Sequence, residues 1–178
     1  MASSAKELLG RLSLPGPHDV LRGDLALVGL PGVVCTPRHG LGLPAVAFGH
    51  GYLQPAQRYH WLLWHLASWG IVAAAPDTQR GPLPSHRLYA ADLRTTLEIC
   101  TKVRLGDGEI SVDPARLGVA GHGMGGSAAV LAASTDTTAG TDAGTETGTD
   151  GPRVRAVGTL ALAESRPSAV TAATTCTQ

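Results

Sequence analysis

The chain has 178 residues, of which 43% are apolar and only 4% aromatic, and its formal net charge is zero. This length fits a single domain with its own hydrophobic core, built largely from Ala, Gly and Leu. The sequence has no basic stripe with interleaved aromatic residues, which excludes nucleic acid as the main partner.

The N-terminal residues and the cysteines bear on the cellular compartment. Residues 1–11 carry charges where a secretory signal peptide needs an apolar stretch, and no apolar run approaches the length of a membrane span. The cysteines, Cys35, Cys100 and Cys176, are odd in number and lack metal-ligand spacing. We therefore expect a cytoplasmic protein with no membrane span, whose thiols pack as small apolar groups.

Strands and helices alternate along the first two thirds of the chain. Apolar runs predict strands over four segments: 32–37, 43–50, 71–77 and 117–120. Helical spacing predicts two helices, over 54–69 and over 85–103. Gly70 ends the first helix, and residues 111–116 predict a turn. The alternation favours an α/β fold with a mostly parallel, doubly wound sheet.

The segment 134–152 interrupts this pattern. It consists almost wholly of Thr, Ala, Gly, Asp and Glu, so it offers no large apolar side chain to bury. Such a composition predicts a flexible, low-complexity surface loop. Its acidic residues lack the register of a calcium-binding loop, so we expect no metal there. A further apolar strand is predicted over 154–163, followed by a tail of small residues.

The most informative motif is Gly121-His122-Gly123-Met124-Gly125, which follows the apolar run at 117–120 and precedes a run of small residues. Strand, tight turn and helix in this order are typical of the nucleophile elbow, G-x-S-x-G, in which a serine occupies the apex. Gly123 stands at the apex here and carries no nucleophile. The motif therefore combines the shape of a hydrolase elbow with the loss of its reactive group.

Two further segments carry a resemblance to a known family. His50-Gly51-Tyr52 precedes a helix, 61–70, that leads directly into the strand at 71–77, and residues 113–122 approach the turn in a similar way. The chain resembles the α/β-hydrolase superfamily, in particular the branch of cutinase-like polyester hydrolases, chlorophyllases and dienelactone hydrolases. The resemblance covers about residues 30–165.

The resemblance implies an α/β-hydrolase sheet and descent from carboxylic-ester hydrolases, with a small ester or acyl ligand and no cofactor. It also implies an oxyanion hole formed by the backbone N–H groups of Tyr52 and Met124. The elbow residues carried over with Met124 are Gly121, His122, Gly125 and Gly126. Backbone donors do not depend on side-chain identity, so this part of the site is expected to persist.

The departures from the family predict an impaired enzyme. Gly123 replaces the nucleophile, and no histidine follows His122 to act as the general base. Glu164, expected at the end of a strand, is the only candidate for the acid. Ser127, packed against the sheet, and the helical histidines His60 and His65 are expected to have structural roles. The domain, 1–178, is expected to stop after about the sixth strand of the family sheet.

Two other interpretations remain open. Gly121-x-Gly123-x-x-Gly126 also satisfies the dinucleotide fingerprint, in which a glycine turn and a helix N-terminus hold a pyrophosphate. The acidic ribose ligand expected about 20 residues later would then fall in the 134–152 loop. Alternatively, the chain is a non-functional truncated remnant. Its last strand would then expose an unpaired apolar edge that favours self-association.

Overall fold

The computed structural model describes residues 4–138 and 153–175. The strands in these ranges form one mixed six-stranded sheet. The strands are β1 (Val20–Asp24), β2 (Gly32–Pro37), β3 (Gly40–Gly49), β4 (Val72–Pro76), β5 (Ile110–His122) and β6 (Val154–Leu160). The α-helices are α1 (Ala5–Leu12), α2 (His60–Ser68), α3 (His86–Lys102), α4 (Met124–Thr138) and α5 (Ala169–Thr175). Short 3₁₀ turns lie at Leu25–Val28 and Ala56–Tyr59.

The strand order is β1-β2-β4-β3-β5-β6. The four strands β4, β3, β5 and β6 are parallel, whereas β2 runs antiparallel to both β1 and β4. The predicted α/β architecture is confirmed, but the sheet is mixed. The reason is local: only Arg38 and His39 connect β2 to β3, so the chain reverses, and β4 lies between the two strands.

Helices cover both faces of the sheet, and the strand residues alternate between them. In β4, Val72 and Ala74 pack towards α3 and α4, whereas Ala73 and Ala75 pack towards α2. This is the period of two that a pleated strand imposes. Because both sets are buried, the strand is apolar throughout, as its sequence predicts.

The connections on either side of β3 make this strand the switch point of the sheet. The chain passes from β3 through α2 to β4 on one side, and then through α3 to β5 on the other side of β3. Ligands of open α/β sheets bind outside the carboxyl ends of the strands at such a switch point. Gly49 and Gly121 are register partners there, so the loops after β3 and β5 emerge side by side.

Several predicted boundaries require correction. The turn predicted over 111–116 is wrong, because these residues belong to β5, which absorbs them through register shifts against β3. Residues 134–138 extend α4, and the remainder of the predicted loop lies outside the described residues. The last strand ends at Leu160, and α5 occupies part of the predicted tail. Helix α1 and strand β1 were not predicted from the sequence.

Two of the cysteines are buried in the core. Cys100 lies on α3, and burial raises its pKa to about 12. Burial also raises the pKa of Cys35 in β2, to about 11, although the charge of Arg22 opposes the shift. The expectation of packed thiols is confirmed for these two, and Cys176 lies outside the described residues. Within the described ranges, no helix is long and apolar enough to cross a bilayer.

Candidate functional site

The turn between β5 and α4 is built around Gly123. Its φ is +56°, in the left-handed region that side chains disfavour. Its N–H donates to the Leu160 carbonyl over 2.9 Å, and its own carbonyl accepts from the N–H groups of Ser127 and Ala163. The turn is thus fixed by the end of β6 and the loop that follows it. Strand, tight turn and helix occur here in the predicted order.

The space beside Gly123 is open. A Cβ built on this residue would meet no atom closer than the Ala161 carbonyl oxygen at 3.9 Å and the Gly51 Cα at 4.0 Å. Sterically, therefore, a side chain fits at the apex, and only the backbone conformation opposes it. The site lies between the loops that follow β3, β5 and β6.

The glycines on either side of Gly123 are required for a different reason, namely close backbone packing. A Cβ on Gly125 would overlap the Gly49 carbonyl, and one on Gly121 would overlap the backbone of Gly125. The first turn of α4 therefore packs in direct backbone contact with the ends of β3 and β5. Gly126 is less constrained, since its Cβ would lie 3.1 Å from the Gly121 carbonyl oxygen. The glycine spacing of the motif is explained by this close approach.

The loop after β3 is held by buried polar groups. His50 is fully buried, and its ring nitrogens lie 2.9 Å from the Gly51 carbonyl oxygen and 2.8 Å from that of Thr78. The His50 N–H donates to the Tyr89 hydroxyl over 2.6 Å. Burial strongly raises the pKa of Tyr89, which keeps this hydroxyl protonated. His50 thereby ties the loop after β3 to the loop after β4.

Tyr59 links the loop after β3 to the turn after β5. Its hydroxyl accepts from the Gly51 N–H over 3.0 Å and lies 2.8 Å from His122 Nδ1. The Tyr59 hydroxyl therefore joins the Gly51 backbone to the His122 ring. A Cβ on Gly51 would lie 2.9 Å from that ring nitrogen, so glycine is required at this crossing. His122 therefore supports the turn.

The residues assigned to the oxyanion hole lie on these two loops. Tyr52 follows Gly51, and its exposed side chain donates to the Pro82 carbonyl over 2.9 Å. Met124 opens α4, and its side chain is buried in the core. Within the described part of the chain, the backbone N–H groups of Tyr52 and Met124 form no hydrogen bond. First-turn N–H groups of a helix have no intrahelical acceptor, which accounts for Met124.

Of the other polar candidates, Ser127 lies beside Gly123, with its hydroxyl 3.5 Å from the Gly123 carbonyl oxygen, whereas His60 and His65 contact other residues. Ser127 is fully buried and donates its hydroxyl to the Ala163 carbonyl. His60 Nδ1 lies 3.9 Å from the Cys35 sulfur, and His65 Nε2 lies 2.8 Å from the Leu12 carbonyl oxygen. These side chains support packing and loop attachment.

Glu164 lies beyond the end of β6, in a loop rather than at the strand end. It is exposed and lines an open cleft of about 540 Å³ together with His86 and Arg166. Burial lowers the pKa of His86, so the neutral imidazole is favoured there. Among the described residues, no group of three or more His, Cys, Asp or Glu side chains is arranged to hold a metal ion.

Sequence reasoning missed the two tyrosines that hold the site. Tyr59 fits the apolar spacing before α2, and Tyr89 falls within the polar-looking start of α3. Nothing in either pattern shows that their hydroxyls meet the backbone of the loop after β3. That contact depends on how α2 and α3 pack on opposite faces of the sheet.

Comparison with known proteins found no relative of the chain among protein families or curated proteins. No model of a protein family matches the chain, and no curated protein matches it significantly.

Proposed function

We propose that this chain is an α/β-hydrolase-type domain of carboxylic-ester hydrolase ancestry that has lost its catalytic residues and retains an acyl-binding site. The observation that carries the proposal is the left-handed Gly123 between β5 and α4, beside the loop after β3. This is the position and conformation in which an elbow presents its nucleophile. The parallel strands β4, β3, β5 and β6 supply the part of the sheet on which such a site is built.

The chemistry of ester hydrolysis needs groups that this site does not contain. Gly123 has no side chain to attack a carbonyl carbon, and no histidine follows His122 in the sequence. His122 itself is engaged with Tyr59 through Nδ1. Ser127 is buried with its proton directed to a backbone carbonyl, so it is not a substitute nucleophile. We therefore infer that the chain does not turn over esters.

Binding requires less than catalysis does. The backbone N–H groups of Tyr52 and Met124 follow β3 and β5, and neither has a hydrogen-bond acceptor among the described residues. Two such donors suit the oxygen of an ester carbonyl or of a carboxylate. The open space at Gly123 leaves room for the atoms next to that oxygen. The proposed ligands are a small ester and its product acid.

A titration followed by amide NMR tests the binding. Butyrate and ethyl butyrate are each added to the ¹⁵N-labelled chain, and the Tyr52 and Met124 resonances are expected to shift, with ethyl butyrate left intact. Met124→Pro removes one donor at a helix position where proline is tolerated, so the shifts should be lost. Met124→Ala is the control: it loses about as much side-chain packing as Met124→Pro but keeps the backbone N–H, so the shifts should remain. Shifts that persist in Met124→Pro would contradict the assignment.

The second candidate is a dinucleotide-binding module. It is favoured by the glycine turn that leads from β5 into α4 at the switch point of the sheet. Against it, β5 is preceded by two βα units, whereas the fingerprint marks the first strand of such a fold. A rise in melting temperature with NAD or FAD, lost in Gly123→Val, would favour this candidate over the acyl site. Absence of both responses would favour a remnant without ligand.

A further inference from the structure

Helix α1 presents an apolar stripe that no other described part of the chain covers. No residue of Ala5–Leu12 is buried, and Leu9 is 70% exposed. Leu8 and Leu12 are exposed on the same side, because residues three and four apart share a helix face. The helix is nevertheless well formed: the Ser4 side chain accepts from the Glu7 N–H, and Glu7 and Arg11 suit the two ends of the helix dipole.

The charged residues of α1 are arranged around this stripe. At 3.6 residues per turn, Lys6 and Arg11 fall on opposite sides of the stripe, each about 110° from its centre. Glu7 and Gly10 fall on the far side of the helix, about 150° from the centre. The apolar stripe is thus flanked by cations on both sides, with the helix's single carboxylate directed away from it.

Hydrogen bonds fasten the end of α1 and the residues that follow it to α2 and to Trp69, the C-cap of α2. His65 Nε2 lies 2.8 Å from the Leu12 carbonyl oxygen, and Trp69 Nε1 donates to the Leu14 carbonyl over 3.0 Å. The Gly16 N–H donates to the Ser68 hydroxyl over 2.8 Å. The amphipathic helix is therefore anchored to the folded domain.

The same face of α2 carries an exposed tryptophan. Trp61 lies one turn before His65, so the two side chains project from the same side of α2. Trp61 is 76% exposed and packs edge-on against Trp64, with ring centroids 6.2 Å apart. A large, amphipathic side chain in this position suits the boundary between an apolar phase and water.

We propose that α1 and the Trp61 face of α2 form a docking surface for an anionic lipid bilayer. The leucine stripe and Trp61 would enter the headgroup–acyl boundary, while Lys6 and Arg11 meet the lipid phosphates. Arg58, which precedes α2, adds a further positive charge, and it has no acidic partner in the described chain. A second copy of the chain fits this surface less well, since its own Lys6 and Arg11 would repel the same cations beside the leucine stripe. Two such short helices would also bury little area.

Vesicle co-sedimentation of the full chain tests this surface. We expect binding to phosphatidylglycerol–phosphatidylcholine vesicles and much weaker binding to pure phosphatidylcholine. Leu9→Gln should lower the partition coefficient about tenfold, because it removes one buried leucine from the bilayer contact. Leu27→Gln is the matched control, since Leu27 is 88% exposed on a different element, and its binding should be unchanged. Lys6→Gln/Arg11→Gln should abolish the preference for the anionic vesicles.

Tryptophan fluorescence provides an independent readout. Addition of anionic vesicles should shift the emission to shorter wavelength in the unmodified chain and not in Trp61→Phe. No binding to either vesicle, or equal binding to both, would overturn the proposal. Loss of self-association in Leu9→Gln, with vesicle binding unchanged, would overturn it in favour of a second copy.

Discussion

Among single residues, the glycines of the Gly121–Gly125 motif are needed for two different reasons. Gly121 and Gly125 are required because a Cβ on either would overlap neighbouring backbone. Gly123 has free space around it, and only its φ of +56° disfavours a side chain. A serine at the apex would be strained but would fit. Glycine therefore adopts this backbone conformation without the strain that a serine would carry.

Alanine substitutions separate these requirements. Gly123→Ala should lower the free energy of unfolding by about 1–2 kcal/mol, the cost of a left-handed conformation. Gly125→Ala should lower it by more than about 4 kcal/mol or prevent folding, because α4 would have to move away from β3. Gly10→Ala is the control: it lies in exposed helix with nothing within 4 Å, and it should stabilise by about 0.5–1 kcal/mol. Urea unfolding measures all three, and equal costs at 123 and 125 would contradict this explanation.

The sequence predicted the glycine turn but not the groups that hold it. An apolar run, a dense set of glycines and a run of small residues together indicate a strand, a turn and a helix, because each pattern reflects local backbone preference. The hydroxyls of Tyr59 and Tyr89 reach the loop after β3 only once α2 and α3 are packed on the sheet. Contacts of that kind depend on tertiary geometry, which local patterns do not encode.

At the scale of elements, the loop after β3 depends on Tyr59. Tyr59→Phe removes the acceptor of the Gly51 N–H and the hydrogen-bond partner of His122 Nδ1. We expect the free energy of unfolding to fall by about 1–3 kcal/mol, since two partly buried polar groups lose their partner. Tyr52→Phe, which removes an exposed hydroxyl bonded to Pro82, should cost less than about 0.5 kcal/mol. Chemical denaturation compares the pair; similar costs would show that the Tyr59 network contributes little.

The alternation of apolar segments and helices along the sequence predicts where strands lie but not whether neighbouring strands are parallel or antiparallel. The apolar segments at β2, β3 and β4 each predict a strand, and the structure contains all three. Their directions follow from the connections: α2 permits β3 and β4 to be parallel, whereas the short turn after Pro37 reverses β2. Residues 111–116 were misassigned because Asp113 and Pro114 are typical of turns, yet they lie within an irregular part of β5.

For the whole molecule, β6 matters as one of the two edge strands of the described sheet, with β1 at the opposite edge. It pairs with β5, and among the described strands no other lies against it. Val157 and Leu160 are 45% and 55% exposed on this strand. An apolar edge with unused backbone donors and acceptors favours pairing with another chain.

We expect the chain to self-associate through this edge. The mass from light scattering should rise with protein concentration, and Val157→Lys should suppress the rise, because a charged side chain blunts an edge strand. Leu27→Lys serves as the control, since Leu27 is an even more exposed apolar residue and lies on a different element from β6. A monomer mass that stays constant at high concentration would refute this expectation.

The proposed function requires that the molecule keep the shape of an ester-hydrolase site without its chemistry. Hydrolysis of p-nitrophenyl butyrate by the purified chain and by Gly123→Ser, measured side by side, tests this requirement. We expect no hydrolysis above background in either protein, because no histidine follows His122 in the sequence to take the proton of a serine at the apex. Activity that appears only in Gly123→Ser would reveal an unrecognised general base. Activity of the unaltered chain, retained through repeated purification, would show that the chain is an enzyme and refute the proposed function.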